Sequence, residues 1–227
     1  PLAATGRAPG RRRYDGAPGP DAAAWARDGL HVAGLGRVAG WDDIPLRGRH
    51  NRENAMAAAA LAAHAGVGAV ALAEGFATFS AVPHRLEPVG ERDGVAYVND
   101  SKATNPDAVL AALDAYPRGV HLIAGGRGKG TSFAPLAAAC RGPVVHAYLI
   151  GEAGPEMAEA FAGAGVAHTV LTTLDRAVTA AAAAARPGEV VLLAPACTSW
   201  DAYSSYEERG DAFRAAVAAL GARPPGA

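Results

Sequence analysis

Three short stretches of the 227-residue sequence gather groups that can do chemistry. The first, Asn99-Asp100-Ser101-Lys102-Ala103-Thr104-Asn105-Pro106, places a carboxylate, an ammonium and two hydroxyls directly ahead of a helical pattern. A helix N-terminus attracts anions through its free N–H groups and dipole, Lys102 adds a full charge, and Asp100 can accept from ribose hydroxyls. The stretch therefore suits a phosphorylated or carboxylate-bearing ligand. The second, Gly125 to Ser132, surrounds Lys129 with glycines. A Walker loop needs Gly, four residues, then Gly-Lys-Ser/Thr. Here Ile123 stands at the first glycine position and Gly130 follows the lysine, so the pattern fails twice. What remains is a loop whose backbone can approach a ligand and whose lysine can reach an anion, or a plain crossover loop. The third, Ala194 to Asp201, offers the hydroxyls of Thr198 and Ser199 to a small acidic substrate. Cys197 lies among small residues with no base nearby in sequence and reads as a buried structural thiol rather than a nucleophile. Tyr206, opening the last helix, fits core packing and substrate contact equally well.

Such loops must be held by elements, and the pattern supplies them. Arg85 to Glu91 and Val95 to Val98 flank Asp93-Gly94, a strong hairpin signal. Asn105 as N-cap and Pro106 at the first helical position then open a helix that runs to Tyr116. Strands at 121–124, 144–150, 168–171 and 190–194 alternate with helices at 133–140, 155–162, 174–186 and 206–220. Six strands and five helices in this order predict an α/β fold, a doubly wound, mostly parallel six-stranded sheet. Ligands of such sheets bind beyond the carboxyl ends of the strands, which is where all three stretches fall. Ahead of this part, residues 25–45 read as a meander of short strands. An alanine-rich helix is expected from Asn54 to about Ala65 and a second from about Val70 to Phe79, with residues 1–20 irregular.

Composition narrows the function. Arginine occurs 19 times and lysine only at Lys102 and Lys129, while all four asparagines fall in two pairs, Asn51 with Asn54 and Asn99 with Asn105. A GC-rich genome drifts from Lys to Arg wherever a planar fork serves as well as a compact ammonium. The two lysines that remain therefore mark sites. A net charge of -1 supplies no field for nucleic acid or an acidic membrane. Two cysteines 57 residues apart support neither a disulfide framework nor a zinc site. The histidines outside the motifs, His31, His64, His121, His146 and His168, have no metal spacing and read as surface or satisfied residues. With neither an apolar span nor a secretory leader in the sequence, a cytoplasmic protein is expected.

Taken in order, His50-Asn51-x-x-Asn54, Pro83-His84-Arg85-Leu86-Glu87, the run from Asn99 to Pro106, the glycine loop around Lys129, and Pro-Ala-Cys-Thr-Ser-Trp-Asp with the Glu-Glu-Arg-Gly-Asp run ending at Asp211 resemble the UDP-N-acetylmuramoyl-L-alanine:D-glutamate ligases of the Mur ligase family. The resemblance spans about Trp25 to Leu220. It implies that residues 1–80 are the end of a central ATPase domain and 81–227 the Rossmann-like domain that takes the incoming amino acid, with the true P-loop in a part not present in this sequence. It further implies ATP-driven amide formation in peptidoglycan precursor synthesis by a cytoplasmic monomer, with ATP, D-glutamate and UDP-N-acetylmuramoyl-L-alanine as partners and Mg²⁺ held mainly outside this chain, which alone would be inactive. Asn51 and Asn54 would face the adenine, and Arg85 and Asp100 the ATP phosphate and ribose, with His84 beside them. Lys102 and Thr104 would stand where phosphate and amino acid meet, with Lys102, Arg85 and His84 as the catalytic set. Lys129 and Ser199 would hold the D-glutamate carboxylates, with Tyr206 packing nearby. A folylpolyglutamate synthase or a non-catalytic glutamate- or nucleotide-binding module would share much of this pattern.

Overall fold

The computed structural model describes residues 23–26, 28–44, 48–79 and 82–224; the irregular segment expected over residues 1–20 lies outside them. They form two compact units, one within residues 23–79 and one from 82 to 224, with residues 48–49 grouped with the latter.

In the first unit, β1 (Ala24–Ala26), β2 (Leu30–Val32) and β3 (Gly36–Ala39) make an antiparallel meander. Two helices follow, α1 (Arg49–His64) and α2 (Ala69–Ala77). Leu30, Val32, Val38, Ile44, Met56, Ala59 and Leu72 form its core. The expected start of the first helix at Asn54 is corrected, because α1 begins five residues earlier, at Arg49. Asn54 is no N-cap here. It sits inside the helix, exposed, and its Nδ2 donates to Asn51 Oδ1 one turn back at 3.4 Å. Arg and Glu are good helix formers, so the polar run extends the alanine helix rather than capping it.

The second unit holds β4 (Glu87–Arg92), β5 (Val95–Asn99), α3 (Pro106–Ala115), β6 (Val120–Gly125), α4 (Ala134–Ala139), β7 (Val144–Ile150), α5 (Gly154–Gly163), β8 (His168–Val170), α6 (Leu174–Ala184), β9 (Val190–Leu193) and α7 (Tyr206–Ala219). The sheet order is β4-β5-β9-β6-β7-β8, with β4 antiparallel at one edge and every other pair parallel. β6 and β9 are buried along their whole length, as an apolar strand covered on both faces must be. Val109, Leu136, Met157 and Phe161 of α3, α4 and α5 pack one face, and Leu174, Val178, Phe213 and Val217 of α6 and α7 pack the other. The hairpin turns at Asp93 and Gly94, both at positive φ, and α3 is capped as expected: Asn105 Oδ1 accepts from Ala108 N at 2.9 Å, with Pro106 as the first helical residue.

One feature of this topology builds the site. β9, the last strand in sequence, inserts between β5 and β6. The loops that follow β5, β6 and β9 therefore leave the sheet side by side.

Candidate functional site at the carboxyl ends of β5, β9 and β6

Backbone hydrogen bonds stitch the three loops together. Asp100 N donates to Leu193 O at 2.8 Å, and Ala196 N to Ala103 O at 2.9 Å, which joins the loop after β5 to that after β9. Gly125 N donates to Pro195 O at 2.8 Å, and Arg127 and Thr198 exchange N–H···O bonds at 2.9 and 3.0 Å, which joins the loop after β9 to the glycine loop. Gly126, at φ 128°, makes that second seam possible, since a Cβ there would overlap the Thr198 carbonyl oxygen. On the surface of the same loop, Arg127 grips Glu152 through two N–H···O bonds of 2.9 Å.

Of the residues expected to act, Asn51 and Asn54 belong to the first unit, on α1, and the others to the second. In the second unit, Asp100 is buried and accepts from Leu86 N at 3.2 Å. Burial pushes its carboxyl up to about 6, against smaller opposing pulls from that backbone bond and from the Arg85 charge. Arg85 itself is exposed. His84 is buried, and its Nδ1 accepts from Asn99 Nδ2 at 3.1 Å. Helix α7 presses so closely on that ring that a Cβ at Gly210 would overlap His84 Nδ1. His84 and Leu86 both hold positive φ, 62° and 42°, as does Ala196 at 59°. Non-glycine residues in that region carry strain that the surroundings must enforce, and three of the four in the described residues border these loops.

Lys102 is exposed, Thr104 half-buried and Ser199 buried, while Lys129 stands exposed on the glycine loop. Lys102 Nζ donates to Tyr206 Oη at 3.2 Å. Cys197 is buried, and desolvation pushes its thiol up to about 12, so it is a packing residue and no nucleophile at neutral pH. The remaining histidines are exposed or have hydrogen-bond partners. Buried His121, for example, sits between Tyr148 Oη at 3.2 Å and Glu189 Oε2 at 2.9 Å.

Two residues that hold the site together carried no assigned role in the sequence reading. Arg209, 1% exposed, donates Nε to Ser101 Oγ at 3.0 Å and Nη2 to Ser101 O at 2.9 Å, and both Nη atoms reach Cys197 O at 3.2 Å. One guanidinium thus clamps the loop after β5 to the loop after β9. Burial lowers its pKa to about 10, which leaves it charged at neutral pH. Glu87 accepts from His84 N at 2.9 Å, from Asn99 Nδ2 at 3.2 Å and from Arg214 Nη2 at 2.7 Å, fixing the His84 turn to α7. Among 19 arginines nothing singles out Arg209; its Glu-Glu-Arg-Gly-Asp run was the one available signal.

Chemically, the loops of the junction carry two exposed lysines, the N-terminus of α3 and the buried carboxyl of Asp100. Among the described residues no group of three or more His, Cys, Asp and Glu could hold a metal ion, and no helix is long and apolar enough to cross a membrane.

Comparison with known proteins gives a consistent result. Residues 84–197 match the family model described as Mur ligase, glutamate ligase domain. The UDP-N-acetylmuramoylalanine--D-glutamate ligase of Myxococcus xanthus is 47% identical over 192 residues, which is 85% of this chain and 42% of that protein. The protein of the same name from Solibacter usitatus is 49% identical over 178 residues, 78% of this chain and 40% of that protein. The chain thus spans about two fifths of the length of these relatives. Among solved structures, UDP-N-acetylmuramate-alanine ligase from Thermotoga maritima superposes with a TM-score of 0.60 at 15% identity, over 78% of this chain and 40% of that one. Folylpolyglutamate synthase from Mycobacterium tuberculosis does so at 0.57 and 22%, over 88% and 47%. At these identities the two structures speak for the fold alone.

Proposed function

Because the chain belongs to the Mur ligase family, we propose that it is the C-terminal two fifths of a cytoplasmic, monomeric ligase that joins D-glutamate to UDP-N-acetylmuramoyl-L-alanine in peptidoglycan precursor synthesis. On this reading residues 1–80 close the ATPase domain and 81–227 form the amino-acid-binding domain. The observation that supports it is the stitched junction of three strand-end loops, which brings the loops that carry Lys102, Lys129 and Ser199 side by side.

ATP, when bound, supplies the phosphoryl group that turns the muramoyl-alanine carboxylate into an acyl phosphate. The residues here fit the ribose end of that molecule, since Asp100 is a buried carboxylate beside the Arg85 charge. Asn51 and Asn54 are the proposed adenine contacts. The described residues do not fit a magnesium site, so no step is assigned to the ion through this chain; its ligands are expected in the rest of the ligase.

Lys129 and Ser199 hold the D-glutamate carboxylates in this proposal, and Tyr206 packs beside them. Lys102 and Thr104 lie between amino acid and phosphate. The uncharged amine of D-glutamate attacks the acyl carbon, the N–C bond forms, the amine loses a proton, and the C–O bond to phosphate breaks. Lys102 and Arg85 stabilise charge gathering on the oxyanion and the departing phosphate. His84, through Asn99 and Glu87, keeps the Arg85 turn in place.

The test uses the complete ligase and follows phosphate release that requires ATP, D-glutamate and UDP-muramoyl-alanine together. Lys102→Arg and Lys129→Arg are each expected to lower turnover about tenfold or more, roughly 1.4 kcal/mol. The chain alone is expected to release none. Turnover by the chain alone, or wild-type rates in both variants, would overturn this reading.

A further inference from the structure

Lys102 and Tyr206 are 104 residues apart in sequence, yet their side chains meet. The ammonium donates to the phenolic oxygen at 3.2 Å and lies 5.1 Å from the ring centroid, so it sits beyond the hydroxyl end of the ring and not above its face. The neighbouring Tyr206 side chain is the foremost reason that the Glu207 carboxyl lies below its usual range. Both ends of the contact are fixed by other bonds. Ser101 Oγ donates to Tyr206 O at 2.8 Å, and the His84 ring meets the Tyr206 ring edge-on with centroids 5.9 Å apart. Ser205 caps α7 by accepting from Glu208 N at 3.2 Å, which sets where the helix, and so Tyr206, begins.

An exposed lysine carries four rotatable bonds, and a ligand that captures it must still them. We infer that Tyr206 is a positioning residue for Lys102, its phenolic oxygen holding the ammonium at the site before any anion arrives. The inference rests on the ligase reading only for the identity of that anion. Pre-placing the cation removes an ordering cost from substrate capture. The holding contact is a charge-assisted bond to the phenolic oxygen. Tyr206→Phe removes that bond and keeps the ring in its packing.

The chain contains two lysines, so ¹³C-lysine labelling gives two side-chain signal sets, with Lys129 as internal reference. The Lys102 Hε protons are expected to show nuclear Overhauser contacts with the Tyr206 ring protons beside the hydroxyl, and those of Lys129 none. Tyr206→Phe is expected to abolish these contacts while the amide signals of β5 and β9 stay put. In the complete ligase, kcat/KM for D-glutamate is expected to fall about fivefold in Tyr206→Phe. Absence of the contacts in the wild type, their persistence in Tyr206→Phe, or wild-type kcat/KM in that variant would each overturn the inference. A ligase with no D-glutamate-dependent turnover but with the contacts intact would instead sink the ligase reading and leave the contact standing.

Discussion

Asp100→Asn should make this protein more stable at neutral pH, and the structure says by how much. The carboxyl is buried with its pKa pushed from 3.8 to about 6. The folded state therefore holds the proton more tightly than the unfolded chain does. Between those two values stability falls as pH rises, because the native protein must either keep a proton that solution no longer supplies or bury a charge. About two units at 1.36 kcal/mol each give a cost of roughly 3 kcal/mol, fully present above about pH 7 and under about 1 kcal/mol near pH 4. An asparagine at this position keeps an oxygen to accept from Leu86 N and carries no charge to desolvate. The pull of Arg85 on the charged form is already contained in that value, so the gain at pH 7.5 is about 3 kcal/mol. Urea unfolding followed through the amide signals of β5 and β9, at pH 4 and pH 7.5, measures it. A variant less stable than wild type at pH 7.5, or a gain equal at both pH values, would refute the reasoning. A carboxylate kept at such cost is one needed for function, so the same substitution should impair the complete ligase.

Arg209→Met should destabilise the second unit by about 3 kcal/mol, because the carbonyls of Ser101 and Cys197 lose their donors inside the fold. Arg209→Lys should recover less than half, a single ammonium being unable to span both loops; thermal melts check this, and losses below about 1 kcal/mol count against the clamp. Gly126→Ala should cost about 2 kcal/mol or more, since φ is 128° and the methyl meets Thr198 O; proteolysis of the glycine loop should rise in parallel. Cys140 and Cys197, both with thiols pushed up to about 12 by burial, should resist Ellman's reagent in the folded protein and react together on unfolding, whereas rapid labelling of either in the native state would contradict their burial.

Much of the fold was legible in the sequence because its signals are local. Asp93-Gly94 set the hairpin, Asn105-Pro106 set the start of α3, and the short apolar run Val190 to Leu193 reads as a strand covered on both faces. The weak local signal was the first helix, where a polar run from Arg49 to Asn54 looks like a cap and is helix. The candidate residues were legible too, since Lys102 and Lys129 stand out against 19 arginines whatever the fold. What no stretch of sequence encodes is adjacency. That β9 inserts between β5 and β6, so that loops about 70 and about 90 residues apart share backbone hydrogen bonds, depends on how the crossovers pack. The roles of Arg209 and Tyr206 depend on the same packing. A buried guanidinium or a phenol that holds an ammonium is defined by what surrounds it, and it is the packing of α7 on the sheet that sets it against Ser101, Lys102 and His84.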